Sequence, residues 1–186
     1  LILNTISSQN TAIGFSALRI NSTSSFNTAI GGYALANTTA GINTAIGYFA
    51  LNQNGLGTYN VAIGNSSLYN NSAGIENVAI GVQAGVNSLG SGNVYVGNYA
   101  GGYETGSNSF YLDNQNRTNT AGDKANALLY GIFGAAAANQ SLFINAKVLG
   151  LGSLPTGNVG VNSGETYVDT AANALANGDL ILIRKG

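Results

Sequence analysis

The chain contains no cysteine and no histidine, and charged residues make up only 7% of its 186 positions. Without cysteine there is no disulfide framework, no thiol nucleophile and no thiolate zinc site. Without histidine the commonest general base and metal ligand is gone. A net charge of −1 removes the Lys/Arg clusters that nucleic-acid binding needs to displace phosphate counterions. It equally removes the polybasic segment that attracts anionic membranes, since the only basic pair is Arg184-Lys185 at the end of the chain. No apolar run reaches the roughly 20 residues of a membrane-spanning helix, and no secretory signal pattern opens the chain. The expectation is no nucleic-acid partner and no membrane insertion. Against this stands a hydrophobic content of 45%. With a net charge so near zero, a lone chain exposing that content is poorly soluble, which implies a partner surface.

An enzyme built from this inventory has to work through carboxylates. Glu76, Glu104, Asp113, Asp123, Glu165, Asp169 and Asp179 are scattered without a paired motif, whereas a glycosidase needs two flanking one sugar bond. No catalytic residue is assigned, and a non-enzyme is expected. Asp113-Asn114-Gln115-Asn116 and Asp123 place oxygen ligands in one loop, but the spacing is not that of an EF-hand. An Asn/Asp-rich turn is the plainer reading, so no metal and no cofactor are expected.

What the chain has in abundance is a repeat. Asn10-Thr11-Ala12-Ile13-Gly14 returns as Asn27-Thr28-Ala29-Ile30-Gly31, Asn43-Thr44-Ala45-Ile46-Gly47, Asn60-Val61-Ala62-Ile63-Gly64 and Asn77-Val78-Ala79-Ile80-Gly81. It drifts at Asn93-Val94-Tyr95-Val96-Gly97. The leading Asn recurs at spacings of 17, 16, 17, 17 and 16 residues, a period that signals stacked supersecondary units. A second half follows each copy, as in Gly47-Tyr48-Phe49-Ala50-Leu51, and polar links such as Asn70-Asn71-Ser72-Ala73-Gly74 carry turn chemistry.

A unit this short cannot hold a helix hairpin, and its Gly and β-branched residues favour strands. The fold class that follows is all-β: a parallel β-solenoid, or β-roll, of 16–17-residue coils. Each coil is expected to contribute two short strands and two corners, stacked about 4.8 Å apart. Residues 1–101 are the shaft. The chain starts in mid-repeat, so the shaft is expected to continue upstream.

Side chains alternate along a strand. The expectation is that Ile13, Ile30, Ile46, Ile63, Ile80 and Val96, with the Thr/Val positions, form the coil core. Ala12, Ala29, Ala45, Ala62 and Ala79 then form an outer small-residue stripe against which another chain packs. Asn10, Asn27, Asn43, Asn60, Asn77 and Asn93 are read as a corner ladder that satisfies backbone groups of neighbouring coils.

Residues 102–153 break the period, with a modified last coil at Asn108–Asp113 and a hairpin of Ala127–Phe133 with Ser141–Val148. Residues 154–186 form a β-rich C-terminal tip, its strands expected over Glu165–Asp169 and Asp179–Arg184. The apolar run containing Ile181 and Ile183 is expected to be buried against partner chains, because an exposed apolar strand aggregates.

The Asn-Thr/Val-Ala-Ile-Gly-x-x-Ala unit resembles the head of trimeric autotransporter adhesins, a left-handed parallel β-roll. It is more similar to repeat proteins of bacteriophage tail fibres and related bacterial surface proteins. The likeness extends to Gly97–Asn108, to Phe110–Asp113, and to strands like Leu129–Phe133 and Leu142–Asn145. That resemblance implies a homotrimer whose Ala stripe, with Ile181 and Ile183, is the trimer interface. It further implies a structural fibre or adhesin on a virion or extracellular surface, joined to other fibre or baseplate proteins. Its multivalent surface would meet a host glycan or protein. The alternatives are a bacterial surface adhesin head, and a single-chain solenoid that binds ice or another surface through the column Thr11, Thr28 and Thr44.

Overall fold

In the computed structural model, residues 7–21 and 23–145 are described, together with two short strands further on. The chain divides into two compact units, Leu1–Asn145 and Ala146–Gly186.

The first unit is a β-solenoid built on one nine-stranded sheet whose strands follow chain order. Six three-residue strands begin it: β1 (Thr11–Ile13), β2 (Thr28–Ile30), β3 (Thr44–Ile46), β4 (Val61–Ile63), β5 (Val78–Ile80) and β6 (Val94–Val96). They pair in parallel with equivalent residues opposite one another, Ala45 beside Ala29 and Ala62 beside Ala45. β7 (Ser109–Leu112) adds in parallel to β6. A short helix, α1 (Thr120–Asn126), follows, capped by the Asn119 side chain, which accepts the Gly122 N–H. The sheet then turns antiparallel through β8 (Leu129–Ile132) and β9 (Ser141–Ile144). Between these two lies a turn of 3-10 helix at Ala137–Asn139.

Each coil holds one strand rather than the two expected. The remainder is a chain of turns, still hydrogen-bonded coil to coil, as in Leu35 N–H to Ala50 O at 3.0 Å and Leu51 N–H to Ser67 O at 3.0 Å. Left-handed backbone makes these turns tight. Tyr33 (φ 58°) and Leu35 (φ 48°) adopt it without being glycine, at a cost of order 1–3 kcal/mol per residue that the surrounding ladder must offset.

The facing of the strands is the reverse of the expectation. Ala29, Ala45, Ala62 and Ala79 are 0% exposed, inside the coil. Ala12, on the first described strand, packs against the same core. They are therefore not an outer interface stripe. Ile13, Ile46, Ile63 and Ile80 are exposed on the opposite face, and Ile30 and Val96 are half-buried there, so none of these six forms the coil core. The reason is width. Leu18, Leu35, Leu51 and Leu68 reach across from the other wall and are fully buried, and interiors packed at crystal density have no room for a second large side chain opposite each Leu.

Where the Ala column ends, the opposite wall changes in step. Tyr95 and Tyr111 are fully buried in the Ala position, and Gly85 and Gly101 stand in the Leu position. A Cβ on Gly101 would lie 2.3 Å from the Tyr95 ring and 3.0 Å from that of Tyr111.

In the second unit, β10 (Thr166–Val168) and β11 (Leu182–Arg184) pair antiparallel, Tyr167 opposite Ile183. Both fall within the expected strands. Ile181 lies outside the described residues, as does the side chain of Ile183.

Candidate association surface and the polar columns behind it

Two columns of polar side chains line the coils. The first is the Asn corner. The Oδ1 of Asn10, Asn27, Asn43, Asn60 and Asn77 each accepts the backbone N–H of the next Asn up the column, at 2.9–3.0 Å. Asn93 closes the series by accepting the Ser109 N–H at 2.8 Å. The same side chains donate through Nδ2 to a carbonyl in the link ahead, as Asn60 does to Gly74 O and Asn77 to Gly90 O, both 2.9 Å. These amides therefore join coil to coil from within the corner.

A second polar column was missed in the sequence: Asn21, Thr38, Asn54, Asn71, Ser88 and Glu104, all 0–1% exposed. It keeps the same alternation of 17 and 16 residues, which is the signal that would have found it. Asn71 Nδ2 donates to Asn54 Oδ1 and to Gly74 O, each at 2.9 Å. Where tyrosine enters the core, the column changes to suit its hydroxyl. Tyr95 and Ser88 hydroxyls meet at 3.0 Å, and the Tyr111 hydroxyl donates to Glu104 at 2.5 Å. Burial pushes both phenols well above their ordinary range.

Three acids, Glu104, Asp113 and Asp123, gather at the C-terminal end of the solenoid. Burial pushes the Glu104 carboxyl up, but the Tyr111 hydroxyl, the Gly106 N–H and Lys124 outweigh it and hold the group below its usual value. Lys124 Nζ is 3.3 Å from Glu104. Asp123, buried on α1, is pushed up to about 6 by burial, opposed by the Tyr103 N–H, with the charges of Asp113 and Glu104 adding to the rise. One oxygen accepts that N–H at 2.9 Å; the other has no hydrogen-bond partner. Asp113 is held by Arg117 at 2.8 Å. The oxygen-rich loop is thus used for ion pairing and for anchoring α1. Among the described residues no three acids, histidines or cysteines converge as a metal site.

Among the described residues, one unpartnered apolar surface is the outer face of the sheet. It carries Ile63 at 37% and Ile80 at 43% exposure, beside the half-buried Val61 and Val78. Thr11, Thr28 and Thr44 occupy the same column as these valines, nearer the first coil. At the other end the face runs into a hollow of about 590 Å³ lined by Val94, Phe110, Ile132, Phe133 and Leu142. Gly131, paired between Phe110 and Leu142, has no side chain to fill it. Among the described residues no helix is long and apolar enough to cross a membrane.

Comparison with protein-family models, with curated proteins and with solved structures returned no match.

Proposed function

We propose that this chain is the shaft of a homotrimeric fibre, of the kind that phage tail fibres and similar virion appendages use to present a multivalent host-attachment surface. The observation that carries the reading is the outer sheet face, a flat aliphatic strip repeated on successive coils and continuous with the apolar hollow at its end. Contiguous apolar surface of that kind marks an interaction site. Every coil offers it at the same register, so copies of the chain can match coil for coil. The Ala column keeps the coil narrow and the Ile column joins the copies. Identical chains then gain avidity for a repeating ligand without any new contact. A bacterial surface adhesin would use the same arrangement, and the cellular setting separates the two.

The test compares neighbouring residues on one strand. Ile46→Glu should leave a folded but monomeric chain, whereas Ala45→Glu should abolish folding, because it buries a charge where no partner waits. Electrophoresis in detergent before and after boiling, with circular dichroism, reads both. A heat-labile oligomer that persists in Ile46→Glu would refute the interface.

A second reading is supported by one observation. Thr11, Thr28 and Thr44 line the solvent side of the sheet, not the coil core, as a single-chain ice-binding solenoid requires. Thermal hysteresis in the monomer would favour it.

A further inference from the structure

Beside the aliphatic sheet, the solenoid carries a second apolar surface of different chemistry. Five aromatic rings form one connected strip over the first four coils: Phe15, Tyr33, Tyr48, Phe49 and Tyr69. Phe15 meets Tyr33 edge-on at 5.3 Å between ring centres, Tyr33 stacks on Phe49 at 5.0 Å, and Phe49 meets Tyr69 at 5.8 Å. Tyr48 packs on Phe49 at 4.2 Å. The strip is not buried: Phe15 is 73% and Tyr48 49% exposed. Gly32 leaves room for it, since a Cβ there would lie 3.0 Å from the Tyr48 ring.

A row of polar side chains runs alongside. Arg19 donates to Asn37 at 2.8 Å, Asn37 to Asn52 at 3.3 Å, and Gln53 to Asn52 at 3.1 Å. Asn52 is tied to the aromatic strip through the Tyr33 carbonyl at 2.9 Å.

We infer that this strip binds a neutral oligosaccharide chain laid along the solenoid. A sugar ring has apolar C–H faces and a rim of hydroxyls. Aromatic planes take the faces; the exposed Gln53 amide and the half-buried Asn37 take part of the rim, while Asn52, 3% exposed, stays in the ladder that holds them. The rings are already packed on one another, so little side-chain freedom is lost on binding. Neutrality follows from charge. Residues 1–102 contain only two charged side chains, Arg19 and Glu76, and Arg19 is engaged with Asn37, so an acidic glycan finds no set of cations to balance it. The row of coils gives a row of equivalent platforms, which suits a polymer rather than a small molecule. The inference rests on the fibre reading in one respect: the aliphatic sheet, and not the aromatic strip, joins the copies.

The test is a printed glycan array with neutral hexose, deoxyhexose and N-acetylhexosamine oligomers beside sialylated and sulfated ones. It is probed with the full chain and two variants, and solution mass is measured in parallel. The wild type should bind one or more neutral oligomers. Phe15→Ala/Tyr48→Ala should lose at least tenfold in signal. Gly32→Val, which keeps every ring but displaces Tyr48, should lose binding too, with solution mass unchanged in both variants. Binding to no neutral oligomer, binding confined to acidic ones, or variants that bind like the wild type would overturn the inference. If the variants change the oligomeric state instead, the strip is a chain–chain contact and the inference is likewise overturned. A wild type that is monomeric yet binds neutral glycan refutes the fibre reading alone.

Discussion

The ring of Tyr95 stands where a side chain on Gly85 would have to go: a Cβ built on Gly85 lies 2.5 Å from it. Four coils earlier the same two positions hold Ala29 and Leu18, both fully buried. The interior is thus filled by complementary pairs, Ala with Leu or Tyr with Gly, and the choice switches once along the shaft.

That pairing predicts a coupled mutant cycle. Tyr95→Ala alone should cost about 3–5 kcal/mol by opening a cavity, and Gly85→Leu alone should be destabilising by overpacking. Together they restore the Ala/Leu pairing of the early coils. Leu is tolerated at φ 48° at Leu68, so the double variant should recover a large part of the loss. Urea denaturation of all four proteins checks it, and simple additivity would contradict the account.

The Asn corner predicts a loss from a single amide. Asn60 accepts the N–H of Asn77 and donates to Gly74 O. Asn60→Ala orphans both buried groups, each costing about 1–3 kcal/mol. Asn60→Asp keeps the acceptor but sets a carboxylate oxygen against Gly74 O and buries a charge at a position 1% exposed, so it should be the more destabilising of the two. Hydrogen exchange at the Asn77 amide should accelerate most.

Acid dependence is set by Asp123 and Glu104, which act in opposite directions. Asp123 is raised to about 6 from 3.8, so the folded chain takes up a proton that the unfolded chain does not. Its contribution is fully present below 3.8 and is lost as pH rises through about 6. Glu104 is held below its ordinary value of 4.5, so its contribution is present above 4.5 and lost on further acidification. Stability should therefore rise as pH falls from 7 toward about 5, then decline once Glu104 titrates. Asp123→Asn should flatten the rise while leaving the decline. A melting temperature measured in steps of pH reads both limbs.

The repeat, its register and the corner ladder were legible because Asn, Gly and the 16–17-residue period are local signals. Which face of Thr44-Ala45-Ile46 points inward was not. Alternation fixes that Thr44 and Ile46 share a face, but not which face, and greater hydrophobicity suggested Ile. The width of the coil decides instead, and width is a tertiary quantity set by Leu51 on the opposite wall. The exchange of Ala and Leu for Tyr and Gly at Tyr95 and Gly101 was the available clue. Helix α1 was hidden because Thr120–Asn126 has little helix propensity, and Asp123 and Lys124 hold it through Tyr103 and Glu104. The inner column of Asn54 and Asn71 lay in segments that read as plain turn chemistry.

The most direct measurement is the solution mass, by light scattering, of the wild type and of Ile63→Asp. Ile63 is 37% exposed within β4, so Ile63→Asp gives up strand propensity and some apolar burial, about 1–2 kcal/mol, and circular dichroism in parallel checks that the fold is retained. A homotrimer joined through the Ile column has a mass of about 56 kDa, three times the 18.8 kDa chain, and falls to 18.8 kDa in a folded Ile63→Asp. A wild type of 18.8 kDa, or an Ile63→Asp variant that keeps the trimer mass, would contradict it.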